Sequence, residues 1–244
     1  MAAIQTSFRR IEMKYLLTHQ QYSAVKRAMA VHVKPDAYSR YTICSIYYDT
    51  EDYRLIRTSL EKPVYKEKLR LRSYGVPYRH DPVFVELKKK FDGVVYKRRI
   101  TLEAEQAEEY LKGRPLCRPS QISREIDWFM QSYRAVPKAF IGYDREAYAG
   151  RELPDLRITF DTNLRARNRD LCLRSGDWGE LILPQEQILM ELKIPDSAPL
   201  WLARLLSDNG IYPSSFSKYG TYYRRLAGKQ PSWGFFEKGA YLYA

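Results

Sequence analysis

The sequence predicts an α+β fold built around a closed antiparallel β-barrel, with a polar, cationic lumen and helices packed outside. Three observations carry that expectation. About seven segments alternate with a period of two, which sends charged side chains to one face of a strand and apolar ones to the other. The charged faces are mostly basic: Lys66, Lys68, Arg70 and Arg72 occupy every second position of VYKEKLRLRSY (64–74). Helical patterns at 19–30, 103–112, 121–135 and 197–209 interrupt the strands and supply covers for their apolar faces. Four cations at roughly 7 Å spacing along one strand repel by roughly 2 kcal/mol per neighbouring pair at an effective dielectric near 20. Such a row persists when it is solvated or when an anion lies along it. Its repetition on other strands favours the anion, and a closed barrel gathers all the charged faces inside.

Taken in order, Arg10, Glu12 and Lys14 alternate with Ile11, Met13 and Tyr15 between Phe8 and Leu17. Thr18 opens a helix, Gln21 completes a T-x-x-Q capping box, and Tyr22, Val25 and Met29 follow at helical spacing. Pro35 closes that region. YTICSIYYD (41–49) is β-branched and aromatic, a strand buried on at least one face. The next segment, TEDYRLIRTSLE, reads as a short helix or a loop lying on the sheet. After the cationic strand, Gly75–Pro82 is a turn-rich loop. PVFVELKKKF (82–91) and GVVYKRRITL (93–102) flank Asp92-Gly93, a strong hairpin signal. Lys97 and Arg99 fall on the polar face of that second strand, while Ile100 and Leu102 face a helix. Lys89 and Arg98 lie on the opposite face as ordinary surface charges.

Residues 103–112 read as a short acidic helix, and 121–135 as a second one with Ile122, Ile126, Phe129, Met130 and Tyr133 on one side. Strands then return. Ile141, Tyr143 and Arg145 share a face; Arg157, Thr159 and Asp161 oppose Ile158 and Phe160; Leu189, Glu191 and Lys193 oppose Met190, Leu192 and Ile194. Ser197 is the expected N-cap of a helix over 197–209, with Gly210 past its end. SSFSKYGTYYRRL places Ser217, Lys218 and Tyr219 at or before a final short helix. The domain spans 8–228, and 229–244 is an aromatic tail that packs back or serves as a contact surface. No repeat of 20–50 residues is present, but Glu-Leu-Lys occurs twice, at 86–88 and 191–193, each at the end of an apolar strand.

A net charge of +12 points to a polyanionic partner: nucleic acid, acidic lipid or phosphate compounds. The three cysteines are scattered and share no ligand spacing with the three histidines, which argues against a disulfide framework or a zinc site. With no signal-peptide pattern and no membrane-length apolar run, a soluble, cytoplasmic protein is expected. No phosphate-binding glycine loop, dinucleotide fingerprint or kinase motif set occurs. Nucleic acid is disfavoured because the cations alternate within apolar strands, and no RNA-binding aromatic signature appears.

The lumen of the expected barrel holds Arg10, Lys14, Lys66, Lys68, Arg70, Arg72, Lys88, Lys97, Arg99, Arg145, Arg157 and Lys193, joined by Glu12, Glu86 and Glu191. Arginine suits bidentate phosphate contact and lysine supplies a point charge. A few carboxylates among many cations make sense as ligands of a divalent metal that bridges phosphate oxygens. The alternative for each is a plain salt bridge. Metal binding is favoured at Glu191, both readings stand for Glu12, and Asp161 is either a ligand or a turn former.

In order, RIEMKYLL, SIYYDTEDY, KLRLRSYG, VFVELKKK, GVVYKRR, YDREAY, RITFDT, MELK and FSKY resemble the VTC domain, the polyphosphate-polymerase domain of the vacuolar transporter chaperone family. That family belongs to the triphosphate tunnel metalloenzymes. The likeness covers about residues 8–226. It implies an antiparallel tunnel that binds ATP or another nucleoside triphosphate and inorganic polyphosphate or triphosphate with a divalent metal, manganese first and magnesium second. It implies phosphate contacts at Lys14, Arg70, Arg72, Lys88, Lys97, Arg99, Arg145, Arg157 and Lys218, a tunnel tyrosine at Tyr143, and a metal-binding Glu191. Lys14, Arg70, Arg72, Lys88, Arg145 and Lys193 are the expected catalytic set; Arg10, Lys66 and Lys68 join the substrate-binding set; Glu86 and Glu12 join Glu191 as metal candidates.

The wider superfamily carries E-x-E-x-K in its first strand, where this chain reads Arg10-x-Glu12-x-Lys14. That departure weighs against two-metal hydrolysis and favours a longer polyanion. The eukaryotic complexes' inositol-phosphate sensor and membrane helices have no counterpart, which implies a stand-alone prokaryotic-type form, in the cytoplasm or held at a membrane by an unidentified partner. The expected activity is transfer of the ATP γ-phosphoryl group to polyphosphate. A tripolyphosphatase, and a non-catalytic polyphosphate- or nucleic-acid-binding module, are the alternatives.

Overall fold

Alternation of polar and apolar residues dictates a sheet with two unlike faces, and that is what the computed structural model has. It describes residues 10–195 and 197–228. The chain runs β1 (Arg10–Thr18), α1 (His19–Met29), β2 (Val33–Asp49), α2 (Arg54–Leu60), β3 (Tyr65–Tyr74), β4 (Pro82–Phe91), β5 (Val94–Glu103), α3 (Ala104–Leu111) and α4 (Gln121–Tyr133). It continues through β6 (Val136–Gly150), β7 (Arg157–Arg167), β8 (Glu180–Leu181), β9 (Gln187–Pro195), α5 (Leu200–Asp208) and α6 (Lys218–Leu226). The aromatic tail lies outside the described residues.

All strand pairs are antiparallel, in the order β1-β9-β7-β6-β2-β3-β4-β5, with the short β8 added to β7. Here one expectation is corrected. Among the described residues no ladder joins β1 to β5, so the sheet is not a closed barrel. It is an open sheet curled until both edge strands border one cavity, which Glu12 and Lys14 of β1 line together with Lys97 and Arg99 of β5.

Local signals explain the elements. Thr18 and Gln21 form the reciprocal capping box at the start of α1. Asp92 and Gly93 both take positive φ, 42° and 79°, as a two-residue turn between paired Phe91 and Val94 demands. The 50–61 segment, open between helix and loop in the sequence, forms α2. The helix expected from Ser197 starts later, at Leu200 with Pro199 as N-cap. A proline ring keeps the residue before it out of helical geometry, so no turn can form across Ala198–Pro199. β2 begins at Val33, earlier than expected, and its pairing with β6 is irregular between Pro35 and Arg40.

The apolar faces are covered in three places. α3 and α4 pack on the backs of β2 to β5 around Leu69, Leu71, Val85, Leu87, Ala107 and Phe129. α1 and α5 cover β1, β9 and β7 around Tyr15, Val25, Phe160, Met190 and Leu202, with His32 stacked on Trp201 at 4.1 Å. The third cluster lies on the concave side, where Phe216, Tyr219 and Tyr222 of the α6 region pack with Ile56 against Ile43, Ile141 and Leu189. Helix α6 thereby fills one end of the trough and leaves the cationic remainder open. Gly220 allows this approach: a Cβ there would lie 2.8 Å from Leu60 Cδ2.

Candidate functional site

The alternating strands deliver their cations to a cavity of about 450 Å³. Lys14 comes from β1; Lys68, Arg70 and Arg72 from β3; Lys88 from β4; Lys97 and Arg99 from β5; Arg145 from β6; Lys193 from β9; and Lys218 from the first turn of α6. Arg98 of β5 also borders the cavity, and facing the ten cations named are three carboxylates, Glu12, Glu86 and Glu191. Arg157 lines a smaller adjoining cavity that shares Arg145, Glu191 and Lys193 with the first. One expected site residue is not brought in: Lys66 turns away, with Nζ 3.4 Å from the Ser59 carbonyl oxygen. The side chain of Arg10, at the start of β1, lies outside the described residues. Lys89 and Arg98 do lie on the helix-covered face, but they are not free surface charges. Both pair with Glu125 of α4, at 3.3 and 3.5 Å.

The carboxylates have unlike surroundings. Glu86 Oε2 accepts from Arg70 Nε at 2.6 Å and lies 3.6 Å from Arg72 Nε, while Oε1 is 3.9 Å from Arg99. Burial would raise its pKa, but Arg70, Arg72 and Arg99 outweigh it and hold the carboxyl below its usual range. A carboxylate so occupied orients arginines. Glu191 pairs with Lys193 at 3.0 Å. Here too burial is outweighed, by Lys193, Arg145, Lys218 and Lys14, and the pKa is held down to about 2. Glu12 lies 3.6 Å from Lys14. Because Glu12 opposes Lys193 and Lys14 opposes Glu191 in the β1–β9 ladder, Glu12 and Glu191 are diagonal neighbours on one face. Among the described residues no three His, Cys, Asp or Glu side chains cluster as a metal cage. Glu12 and Glu191 offer hard oxygen donors on one face, the donor type that suits a divalent cation also bound by phosphate oxygens.

Asp161, left open as a ligand or turn former, is neither. It is fully buried and receives Arg145 and Lys218. The Tyr143 ring lies against both cations, 5.2 Å from the Arg145 guanidinium and 4.3 Å from Lys218 Nζ. Lys218 is placed by Ser217, whose side chain caps α6 by accepting from Gly220 N at 3.2 Å. The segment ahead of it is tied to β1, where Ser214 N donates to the Lys14 carbonyl at 2.7 Å and Lys14 Nζ to the Phe216 carbonyl at 3.2 Å.

Three lining residues, Tyr47, Ser217 and Tyr219, carry no role in the sequence reading. Tyr47 stacks on Tyr219 at 4.8 Å, and its hydroxyl receives Arg70 Nη1 at 3.3 Å. Tyr219 in turn donates to Asp49 Oδ2 at 3.0 Å. Tyr47 opposes Arg70 in the β2–β3 ladder, which a single strand's pattern cannot reveal.

The electrostatics mark an anion site. Burial lowers the Lys68 pKa to about 8, with Lys66, Lys88 and Lys14 adding to the effect. Lys88 and Lys97 are lowered chiefly by burial. Burial would raise Tyr47, but Arg70 and Arg72 pull it down to about 8. Arg72 Nε and the hydroxyls of Ser45 and Thr159 are buried without a hydrogen-bond partner. Ser45 opposes Arg72, and Thr159 opposes Glu191. Unpaired buried polar groups cost free energy that a ligand's oxygens and bound water recover.

A curled antiparallel sheet with a cationic trough, sparsely furnished with carboxylates, defines the class: an enzyme acting on triphosphate or polyphosphate. The chain belongs to the VTC-domain family, whose profile matches residues 9–227. No curated protein matches it. The fold is similar to that of a candidate adenylate cyclase from Bacillus halodurans, at TM-score 0.54 and 13% identity over 85% of this chain and 93% of the other. A candidate adenylyl cyclase from Hippeastrum, described as having a dominant triphosphatase activity, aligns at TM-score 0.48 and 15% identity over 91% and 98% of the two chains. No helix among the described residues is long and apolar enough to cross a membrane.

Proposed function

We propose that this protein is a metal-dependent polyphosphate polymerase that transfers the γ-phosphoryl group of ATP to the end of an inorganic polyphosphate chain and releases ADP. The observation that carries this reading is the cavity's charge. Apart from Arg98, which pairs with Glu125, ten lining cations face Glu12, Glu86 and Glu191, with Asp161 buried behind Arg145 and Lys218. The surplus is larger than one nucleoside triphosphate neutralises, which leaves cations for a second polyanion.

The acceptor is a phosphate oxygen that is already ionised, so the reaction needs no protein base. Of the carboxylates, Glu191 is held at a pKa of about 2 and Glu86 is engaged by arginines, so neither is a strong proton acceptor for activating water. Arg70 and Arg72, fixed by Glu86, and Arg145, fixed by Asp161, present oriented guanidinium groups to equatorial phosphate oxygens. Lys14, Lys88, Lys193 and Lys218 add point charges; Lys68, Lys97, Arg99 and Arg157 extend the path for the chain. Glu191, with Glu12 beside it, would hold the divalent metal, manganese or magnesium. A metal held there would supply positive charge to offset that of the phosphate oxygens. Positioning and charge stabilisation carry the catalysis.

Incubation of the full chain with ATP and manganese, followed by product sizing on a gel, tests the proposal. Long polymer with stoichiometric ADP is expected. Orthophosphate alone would replace the polymerase with a hydrolase.

A further inference from the structure

Beside the phosphate-binding cations lies a row of aromatic rings that the transfer reaction does not use. Tyr38 meets Tyr41 at 6.2 Å, Tyr41 meets Tyr74 at 5.5 Å, and Tyr74 meets Phe84 at 5.6 Å, with interplanar angles of 70–80°. The Arg99 guanidinium caps the row, 4.4 Å from the Phe84 centroid. These contacts are edge-to-face, so the rings are not stacked on one another. Tyr74 remains 53% exposed and Tyr38 77% exposed. Large rings held this far into solvent do little for the core.

Their placement ties them to the cavity. Tyr74 lies two residues past Arg72 on the same face of β3, about 7 Å along the strand. Phe84 lies two residues before Glu86, and Phe84 opposes Arg72 in the β3–β4 ladder. Tyr41 opposes Arg145 and lines the smaller cavity with Arg145, Glu191 and Lys193. Arg99 belongs to both groups, lining the main cavity while resting on Phe84. The row is thus a half-exposed aromatic rim at one mouth of a cationic trough. Inorganic polyphosphate offers nothing to such rings, whereas a nucleoside triphosphate offers a planar π-system at one end of its phosphates.

We propose that this rim, centred on Tyr74 and Tyr41, seats the nucleobase of a nucleoside triphosphate whose phosphates enter the trough past Arg72 and Arg145. The seat rests on the phosphate-trough reading given above. It provides recognition by stacking, which tolerates different bases because each has a π-face. It also gives the two substrates different handles: the donor is held by base and phosphates, the acceptor by phosphates alone.

The test is calorimetric affinity of the full chain for ATP and for inorganic tripolyphosphate, under one metal and salt condition. Tyr74→Ala is expected to weaken ATP by roughly 5- to 150-fold, the range one lost base–aromatic stack gives, with tripolyphosphate unchanged. Tyr74→Phe, which keeps the ring, is expected to stay close to wild type. Tyr38→Ala, at the most exposed ring, guards against misfolding and should weaken ATP alone by a smaller factor. Unchanged ATP affinity in both alanine variants, or equal loss for ATP and tripolyphosphate, would overturn the nucleobase seat and leave the trough intact. A wild-type protein that binds neither ligand would overturn the trough and the seat together.

Discussion

Arg145 grips Asp161 through two parallel hydrogen bonds, Nε to Oδ1 at 2.6 Å and Nη2 to Oδ2 at 2.8 Å. Lys218 closes on Oδ2 at 2.6 Å. One buried carboxylate therefore fixes two cations from distant parts of the chain before any anion arrives.

Removing that carboxylate leaves two buried cations without a counter-charge. Asp161→Ala is expected to destabilise the fold by about 3–5 kcal/mol, read by urea denaturation. Added tripolyphosphate should recover more stability in the variant than in wild type. A loss confined to a few tenths of a kcal/mol would mean that the cations relax into solvent. In wild type, burial raises the Asp161 pKa but Lys218 and Arg145 outweigh it, so the folded pKa lies below the unfolded one. The pair's stabilisation is therefore present above about pH 4 and fades as pH falls through the folded pKa.

Glu191→Ala should lower polymer synthesis by about 100-fold or more, the scale on which a metal's charge stabilisation is lost. The circular dichroism spectrum should be unchanged. Turnover equal to wild type would remove Glu191 from the metal site.

Position along β3 separates two outcomes. Arg70→Ala is expected to cost roughly 100- to 1,000-fold in turnover, as loss of one preorganised donor does. Lys66→Ala, outside the cavity, should change turnover less than about threefold, because a solvated charge acts only through screened attraction. Similar losses in both variants would mean that the whole row of β3 meets the substrate.

Lys68 and Tyr47 both titrate near pH 8 in the free protein. A bound polyanion favours the protonated form of each, raising both values, so tripolyphosphate binding at pH 8 should take up protons. Calorimetry in two buffers of different ionisation enthalpy measures this directly, and Tyr47→Phe should reduce the uptake. Equal uptake in wild type and Tyr47→Phe would place Tyr47 away from the anion.

The strands and their basic faces were legible because period-two alternation is a local property that each segment carries by itself. The same holds for the Thr18 capping box and the Asp92-Gly93 turn. What the sequence hid is relational. Tyr47 gains its place from the register that sets it opposite Arg70 and from the docking of α6 beneath it. Asp161 stood open between ligand and turn former until β6 and β7 laid it against Arg145. The two Glu-Leu-Lys segments looked equivalent, yet Glu86 fell among arginines and Glu191 beside Lys193. Closure was over-read for the same reason: whether the two edge strands meet depends on curl accumulated across the whole sheet, which no single strand records.

The unpaired β1 and β5 edges bear on how a polymer is kept. A sealed ring would retain a long chain by enclosure, and the chain could leave only by sliding out end-first. With a seam running along the wall, enclosure is lost and retention depends on Coulomb attraction to the lining. Retention of that kind weakens steeply with dissolved salt, so under the proposed polymerase reading ionic strength would govern when a polyphosphate chain lets go.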